Sequence, residues 1–222
     1  MNRDPASSKI QEMRQRYERA GLRKADLAEC PIAQFQAWFS EITEAEGTLE
    51  PNAMTLATAD KDGMPSARTV LLKGGLDRGA FWFFSNHTSK KGQELAVNPR
   101  AGLVFLWKEW ERQVCVRGNV TKLPESETQA YFQSRPYESQ IGAWTSRQSA
   151  EIPDRAHLDE RDARLRERFP EGNVPCPEFW GGYAVQPLSI EFWQGRPGRL
   201  HDRFRYYREG LTAPWTCVRL SP

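Results

Sequence analysis

Short β-rich segments separated by glycine-containing turns fill the middle of the chain, and they constrain its fold more than any other feature. The segments MTLATAD, PSARTVLLK and AFWFFS follow one another, with KDG and GGLDRG as the turns between them. Runs of β-branched and aromatic residues bounded in this way are typical of antiparallel hairpins. RAGLVFLW and ERQVCVRGNVTKL predict two further strands, and GGYAVQPLSIEFWQG and WTCVRL predict strands near the C-terminus.

Helices are predicted before the first strand and between the later ones. Residues 9–20 have apolar side chains at helical spacing. A second helix begins at Pro31, a residue favoured at the first helical position, and its buried face consists of Phe35, Trp38 and Ile42. The segments SKKGQELAVNP, ESETQAYFQSR and DRAHLDERDARLRERF predict three more helices, and the last of them is a solvated surface helix because charged residues dominate it.

The chain has no internal division. No repeat, low-complexity tract or Pro/Gly/Ser linker interrupts its 222 residues. A chain of this length is long enough to bury a sizeable single core. We therefore predict a mostly β fold with peripheral helices, in which an antiparallel sheet closes into a barrel.

The charge balance excludes some classes of function. The chain has 31 Lys and Arg residues against 29 Asp and Glu residues, a net charge of +2. This charge is too small for a protein that coats nucleic acid through its overall field, so any anion site must come from local placement. The sequence also lacks a G-x-G-x-x-G motif after a strand and a P-loop, so a nucleotide-like cofactor would bind by another route.

The cysteines and the N-terminal residues indicate the compartment. The 4 cysteines stand far apart without a C-x-x-C pair, which favours reduced thiols over a zinc site. Residues 1–30 contain no apolar signal-peptide core, and apolar runs such as LVFLW are only strand-sized. We expect a cytoplasmic protein with no metal site and no membrane segment.

Two cations bracket an apolar run in the segment RTVLLK. Arg68 and Lys73 are five residues apart, and such residues on a regular strand point to opposite faces. Either Lys73 lies at the strand end, or the two cations bind different anions. Ordinary strand-flanking charges are the simpler interpretation of this segment taken alone.

Polar groups also collect in FFSNHTSKKG and ERQVCVRG. Ser85, Ser89, Lys90 and Lys91 lie around the start of a predicted helix, where free N–H groups and the helix dipole favour a phosphate. A solvated lysine pair is an equally good interpretation. The odd-numbered residues of ERQVCVRG share one strand face, on which Gln113 could bond a polar ring edge, although a plain polar face explains them equally well.

Two further groups lie in the second half of the chain. Tyr131, Arg135 and Ser139 recur every four residues, which on a continuous helix would place them on one side as a phosphate pocket, although Pro136 interrupts the helix. The RLHDR segment alternates Arg, His and Arg at residues 199–203, so in an extended segment these side chains face one way. Such a group needs an anion or an acidic partner, which favours a site over surface decoration.

Several motifs, in order along the chain, resemble one family. They are EPNAMTLAT, RTVLLK, FFSN..SKKG.EL..NP, RQV, YF.SRP.ESQIGAW.S.QS, P.P..WGGY and IEFWQG...RLHDR. Together they resemble the pyridoxine/pyridoxamine 5'-phosphate oxidases, FMN enzymes that make pyridoxal 5'-phosphate, and the likeness runs from about Arg14 to Pro222. The resemblance implies an antiparallel split β-barrel that binds FMN at the interface of a homodimer.

The resemblance also assigns roles to residues and segments. Residues 1–30 would form an N-terminal segment with an active-site lid helix, and residues 31–222 a single FMN-binding domain that includes a C-terminal dimerisation region. The implied FMN contacts are Arg68, Thr69, Val70, Leu71, Leu72, Lys73, Phe84, Ser85, Lys90, Lys91, Gln113, Gln148, Ser149, Trp193 and Arg203. The implied substrate contacts are Arg14, Tyr17, Lys73, Tyr131, Arg135, Ser139, Arg199 and His201, of which Arg199 and His201 are the implied catalytic pair.

The sequence departs from the family pattern at a few of these positions. Phe84 and Ser85 stand where a Tyr-Thr pair is frequent, and Lys90 stands where Arg is frequent. Ser85 keeps a hydroxyl and Lys90 keeps a positive charge, but Lys90 lacks the two parallel N–H donors that an arginine offers to a phosphate. We expect these changes to affect FMN affinity more than the type of reaction.

The implied reaction is hydride transfer from C4′ of pyridoxine or pyridoxamine 5'-phosphate to FMN, followed by reoxidation by O₂ to give H₂O₂, with release of ammonia from the amine. One alternative is a flavin oxidase of the same barrel that acts on another ring, such as a phenazine precursor. Another is a non-catalytic flavin or pyridoxal-phosphate carrier. A nucleic-acid-binding module is the weakest alternative, because the cations alternate with core-like aromatic residues.

Overall fold

The structure is a computed structural model that describes residues 21–45 and 50–222. Its strands are β1 (Ala53–Ala59), β2 (Pro65–Leu71), β3 (Phe81–Asn86), β4 (Arg100–Trp107), β5 (Arg112–Lys122), β6 (Trp180–Gln194), β7 (Asp202–Tyr207) and β8 (Thr216–Leu220). Its helices are α1 (Pro31–Glu44), α2 (Lys90–Val97), α3 (Glu125–Gln133), α4 (Tyr137–Thr145) and α5 (Ala156–Arg168). The predicted helix over residues 9–20, with Arg14 and Tyr17, lies outside the described residues.

All strands belong to one antiparallel, 8-stranded sheet in the order β2-β1-β4-β5-β6-β7-β8, with β3 paired to β6. The long strand β6 pairs with β3 through its first half and with β7 through its second half. A bridge between Gly74 and Trp82 then joins the end of β2 to β3. This bridge closes a barrel, which leaves β7 and β8 as an extension, and the predicted mostly β fold with peripheral helices is confirmed.

The barrel core is aromatic. Phe35 of α1 is fully buried, and its ring centroid lies 5.0 Å from that of Phe81 and 4.9 Å from that of Phe105. Trp38 packs edge-on against Phe192 at 5.2 Å. The predicted helix at Pro31 and its buried face are thus confirmed, and α1 caps the barrel by inserting that face into it.

A second, smaller core holds α3, α4 and α5 against the start of β6. Its buried members are Phe132, Ile141, Phe169, Val174 and Trp180. The chain breaks between α3 and α4 at Pro136, as the sequence indicated. The helix α5 contributes no buried residue, in agreement with the predicted solvated helix. No helix in the described ranges is long and apolar enough to span a membrane.

Candidate active site

A cavity of about 660 Å³ opens between the end of β2, the end of β3 and the helices α3 and α4. The structure brings together a large part of the predicted site in its wall. The predicted residues that line it are Arg68, Thr69, Val70, Leu71, Lys73, Phe84, Ser85, Lys91, Tyr131, Arg135, Ser139 and Gln148. The wall also contains Trp180 and Ser146, whose place in it the sequence did not reveal.

Arg68 and Lys73 both line this cavity. The strand β2 ends at Leu71, so strand alternation does not govern the direction of Lys73. Beyond the strand, the Lys73 backbone N–H donates to the Trp82 carbonyl at 2.8 Å. Of the two alternatives that the sequence left open, the structure therefore supports the one in which Lys73 lies past the strand end.

A buried ammonium group forms one side of the cavity. Lys91 is 7% exposed, and its Nζ donates to the Gln148 Oε1 at 2.8 Å and to the Ser89 Oγ at 3.2 Å. The Ser85 hydroxyl donates to the same Gln148 oxygen at 3.0 Å. Burial, followed by the positive charge of Arg68, lowers the pKa of Lys91, while Glu94 acts in the opposite direction. This side of the cavity is short of negative charge, which suits an anionic ligand.

The turn that carries Lys91 tolerates only glycine at the next position. Ser89 caps α2 by accepting from the Gly92 backbone N–H. A Cβ on Gly92 would lie 2.1 Å from the His87 carbonyl oxygen, and this distance is too short for any side chain. The close approach of backbone at Gly92 therefore fixes the start of α2 against the end of β3.

Aromatic rings and Arg135 form the opposite side. The Phe84 and Tyr131 rings stack with their centroids 3.9 Å apart. The Arg135 guanidinium carbon lies 4.7 Å from the Trp180 ring centroid, and its Nη1 is buried without a hydrogen-bond partner among the described residues. Burial lowers the pKa of Arg135. A buried guanidinium nitrogen without an acceptor is costly, so this group fits an anionic ligand.

The break at Pro136 does not separate the predicted phosphate pocket. Tyr131 lies on α3, Arg135 lies between the helices and Ser139 lies on α4, and all three line the cavity. The sequence suggested their common side from helical spacing and noted that Pro136 interrupts the helix. The break is present, and the three residues nevertheless line one cavity.

Three predicted contacts lie beside the cavity rather than in its wall. Lys90 and Ser149 line a neighbouring cavity of about 700 Å³ that shares Gln148 with the first, and the Lys90 backbone N–H donates to the Ser149 Oγ at 3.2 Å. The Leu72 side chain belongs to the barrel core, and its backbone N–H donates to the Asn52 carbonyl. Leu72 therefore fixes the end of β2 and offers no side chain to the cavity.

The remaining predicted cofactor contacts form a separate group on the sheet. Gln113, Trp193 and Arg203 occupy one register row across β5, β6 and β7. The Arg203 Nε donates to the Glu191 carboxylate at 2.8 Å. None of the three lines the cavity around Arg68.

The predicted catalytic pair lies in the loop before β7, close to this row. The His201 ring centroid is 4.6 Å from that of Trp193, and the His201 Nδ1 accepts from the Arg196 backbone N–H at 3.1 Å. Arg199 is exposed and has a φ of 62°, a left-handed conformation that is uncommon outside glycine. Burial and the charge of Arg199 lower the pKa of His201.

Sequence reasoning missed one charged residue behind the cavity. Glu94 of α2 is 5% exposed and accepts hydrogen bonds from Thr58, Ser66 and Arg68. Its position inside SKKGQELAVNP showed only helical spacing. The pairing of β1 with β2, which brings Thr58 opposite Ser66, is the signal that could have pointed to a polar site here.

Two family models match the chain. One, described as pyridoxamine 5'-phosphate oxidase, matches residues 42–164, and the other, described as the pyridoxine 5'-phosphate oxidase C-terminal dimerisation region, matches residues 180–222. A curated relative from Salinibacter ruber, named pyridoxine/pyridoxamine 5'-phosphate oxidase, is 52% identical over 97% of this chain and 100% of its own length. A relative of the same name from Ralstonia pickettii is 53% identical over 96% of this chain and 99% of its own length.

Solved structures share the fold. PhzG from Burkholderia lata 383, in complex with tetrahydrophenazine-1-carboxylic acid, matches with a TM-score of 0.85 and 30% identity over 94% of this chain and 100% of that chain. A pyridoxamine 5'-phosphate oxidase-related, FMN-binding protein from Nostoc punctiforme matches with a TM-score of 0.69 and 16% identity over 88% of this chain and 100% of that chain, which supports the fold alone. The closed antiparallel sheet with its β7–β8 extension is thus the split β-barrel of these proteins. Since family models and full-length relatives agree with this fold, the chain belongs to the pyridoxamine 5'-phosphate oxidase family.

Proposed function

We propose that this protein is an FMN-dependent oxidase that converts pyridoxamine 5'-phosphate and pyridoxine 5'-phosphate to pyridoxal 5'-phosphate, with O₂ as the electron acceptor. The relatives that it matches over nearly their whole length carry the name of this activity. The observation that carries the proposal is that Arg135, whose buried Nη1 has no acceptor among the described residues, lies in the cavity wall together with Arg68 and Lys91.

The cavity wall contains cations from two parts of the fold, which fits two phosphate groups. Arg68 of β2 and Lys91 of α2 form the first group, which we call the Arg68 end, and Arg135, between α3 and α4, forms the second, with the stacked Phe84 and Tyr131 also in the wall. We assign the first group to the FMN phosphate and the second to the substrate phosphate, with Lys73 between them. Arginine forms bidentate, charge-assisted bonds to phosphate, and the hydroxyls of Tyr131 and Ser139 supply further donors.

Bound FMN would supply the hydride acceptor, and its reoxidation by O₂ would give H₂O₂. The residues of this chain have the task of positioning. They neutralise two phosphates, and the stacked rings of Phe84 and Tyr131 offer a flat apolar surface beside them. Holding the two reacting atoms close together is worth several kcal/mol of the barrier, so positioning dominates this site.

Arg199 and His201 have different capacities in this geometry. The His201 Nδ1 already accepts a hydrogen bond from Arg196, so a neutral ring carries its proton on Nε2. Burial and the charge of Arg199 lower the pKa of His201, which favours the neutral ring. We assign to Arg199, with its permanent charge, the orientation and polarisation of the amino or hydroxyl group on C4′, and to His201 the Nε2–H beside it.

The complete site requires a second copy of the chain. Residues 180–222 match a family dimerisation region. They include the Trp193 and Arg203 positions and the loop with Arg199 and His201, none of which lines the Arg68 cavity of the same chain. We assign these residues, with Gln113, to the site of the second copy, so that a homodimer contains two sites.

A related oxidase activity on a phenazine precursor is the second candidate. It is favoured by the 30% identical PhzG structure, whose ligand, tetrahydrophenazine-1-carboxylic acid, carries a carboxylate. Arg135 could bind a carboxylate as well as a phosphate. The identity to the 5'-phosphate oxidases is much higher, at 52%, and they match the chain over 97% of its length.

The test is an aerobic assay on purified protein whose flavin has been identified by its mass. Pyridoxamine 5'-phosphate and pyridoxine 5'-phosphate should each give equal amounts of pyridoxal 5'-phosphate and H₂O₂. Pyridoxamine without its phosphate is the matched control and should react far more slowly. A yellow protein that makes no peroxide would indicate a carrier, and turnover of a dihydrophenazine carboxylate alone would indicate the second candidate. Either result would overturn the proposal.

A further inference from the structure

Behind the cation-rich end of the cavity lies a buried carboxylate that does not itself line the cavity. Glu94 of α2 is 5% exposed. Its Oε2 accepts from the Thr58 hydroxyl at 2.5 Å and from the Ser66 hydroxyl at 2.7 Å. The Arg68 Nη2 lies 3.3 Å from the same oxygen. A single carboxylate thus connects three polar side chains of the β1–β2 hairpin to the helix that carries Lys91.

Glu94 is ionised despite its burial. Burial alone would raise the pKa of this carboxyl, but the hydrogen bonds from Thr58 and Ser66 and the charge of Arg68 outweigh it and lower the pKa. An ionised oxygen accepts stronger hydrogen bonds than a neutral one. Thr58, Ser66 and Arg68 therefore keep Glu94 ionised, and the ionised carboxylate in turn holds these three side chains in place.

The guanidinium of Arg68 is fixed by this arrangement. Its Nη1 donates to the Leu56 carbonyl at 3.2 Å and to the Thr58 hydroxyl at 2.5 Å. Its Nη2 donates to the Ser66 hydroxyl at 2.5 Å and to Glu94. Both Nη groups are therefore occupied within the protein, and Nε has no partner in the described part of the chain. Few of the Arg68 N–H groups therefore remain for a ligand, and the orientation of the guanidinium depends on these acceptors.

We propose that Glu94 is a positioning residue for the phosphate end of the flavin site, which holds Arg68 in the cavity wall through Thr58 and Ser66. This inference rests on the proposed function, since it assigns the Arg68 end of the cavity to the FMN phosphate. Arg68 and Lys91 carry like charges and repel each other, and the charge of Arg68 lowers the pKa of Lys91. The Glu94 carboxylate offsets this repulsion and keeps the donors arranged before the ligand arrives.

Replacement of Glu94 has two opposite consequences, and their balance can be predicted. Loss of the negative charge favours the binding of a phosphate. Loss of the charged acceptor, by contrast, releases the Thr58 and Ser66 hydroxyls and the Arg68 guanidinium. Glu94 also lies 4.0 Å from the Lys90 ammonium and opposes the lowering of the Lys91 pKa. Its hydrogen bonds, however, are to Thr58, Ser66 and Arg68, so we expect the second effect to be larger. We expect Glu94→Gln to weaken FMN binding by about tenfold, the effect of losing one charge-assisted hydrogen bond.

The test compares FMN with riboflavin, which has the same ring and no phosphate. Each flavin is titrated into the full-length, flavin-free protein and followed by quenching of flavin fluorescence. Glu94→Gln should weaken FMN binding by about tenfold and leave riboflavin binding unchanged, and Glu94→Asp should restore part of the loss. Glu127→Gln, which removes a carboxylate that pairs with Arg78, is the matched control and should change neither affinity.

A double-mutant cycle separates positioning from general damage to the fold. In an Arg68→Met background, Glu94→Gln should add less than about a twofold loss, because the residue that it positions is gone. Equal losses for FMN and riboflavin, or an undiminished loss in the Arg68→Met background, would overturn the inference in favour of a structural role. If Glu94→Gln does not fold, Ser66→Ala provides the same comparison. Failure of the unaltered protein to bind FMN would instead overturn the proposed function.

Discussion

The Arg135 guanidinium lies 4.7 Å over the Trp180 ring, with its Nη1 buried and without an acceptor among the described residues. The ring holds the flat face of the guanidinium, so the edge with its N–H groups remains for a ligand. The sequence predicted Arg135 as a phosphate contact but gave no sign of Trp180 beneath it. An anion bound by Arg135 would therefore meet a guanidinium that Trp180 already holds in place.

Arg135→Leu should therefore impair substrate binding and leave flavin binding intact. A hydrogen bond to a charged group contributes about 1.5–3 kcal/mol, so KM for pyridoxamine 5'-phosphate should rise by roughly 10- to 100-fold. Steady-state peroxide production measures KM, and fluorescence quenching measures FMN affinity. An unchanged KM would show that the substrate phosphate binds elsewhere.

Asp202 connects three separate segments beside the predicted catalytic loop. Its carboxylate accepts from the Leu22 backbone N–H at 3.0 Å and pairs with Arg219 and with Arg196. Burial raises the pKa of Asp202, but the hydrogen bonds from Arg219 and Leu22 outweigh it, and the pKa is lowered. The loop that contains Arg199 and His201 thus lies between Arg196, which pairs with this carboxylate, and Asp202 itself.

Asp202→Asn should reduce turnover more than flavin binding. The side chain keeps its shape but loses its charge, so the bonds to Arg196 and Arg219 weaken and the loop is less well positioned. We expect kcat to fall by about tenfold, the effect of about 1.4 kcal/mol. Asp26→Asn is the control, because Asp26 bonds only to its exposed neighbour Arg23 among the described residues. Equal effects of the two substitutions would exclude a specific role for Asp202.

Particular residues show what the sequence could predict. The strands, α1 and α2 followed from hydrophobic spacing and from turn residues, because these depend on local chemistry. The helix α4 was missed, since the Pro136 break looked like an interruption of one helix. The strand β7 was recognised only as extended chain. Glu94 was missed because the three residues that donate hydrogen bonds to it lie more than 25 residues away, on strands whose pairing local patterns do not specify.

His87 makes stability depend on pH. Burial, followed by the charge of Lys122, lowers the pKa of His87 from 6.5 to about 4, and its Nδ1 lies 2.9 Å from the Tyr183 hydroxyl oxygen. Between these two values the unfolded chain binds a proton that the folded chain does not. Stability is therefore complete above about pH 6.5 and falls as the pH decreases from 6.5 to about 4.

His87→Gln should flatten this dependence. The side chain is only partly buried, so solvent screening limits the effect to about 1–2 kcal/mol. Urea unfolding at pH 7 and at pH 5 measures the difference for each protein. His157→Gln, at an exposed position on α5, is the control and should retain the slope of the unaltered protein. An unchanged slope in His87→Gln would assign the pH dependence to other groups.

Mixing two inactive variants should restore activity if each site contains residues of both chains. Arg68→Ala removes a residue of the cavity, and Trp193→Ala removes a residue of the separate row on β6. In a mixed dimer, one site contains both substitutions and the other contains neither. Random reassembly makes about half of the dimers mixed, each with one intact site of two, so about a quarter of the full activity should return. The measurement is peroxide production after the variants are unfolded and refolded together, with each variant refolded alone as the control. Because a site contained within one chain would be damaged in every dimer, no recovery above the controls would show that Arg68 and Trp193 serve the same site from one chain.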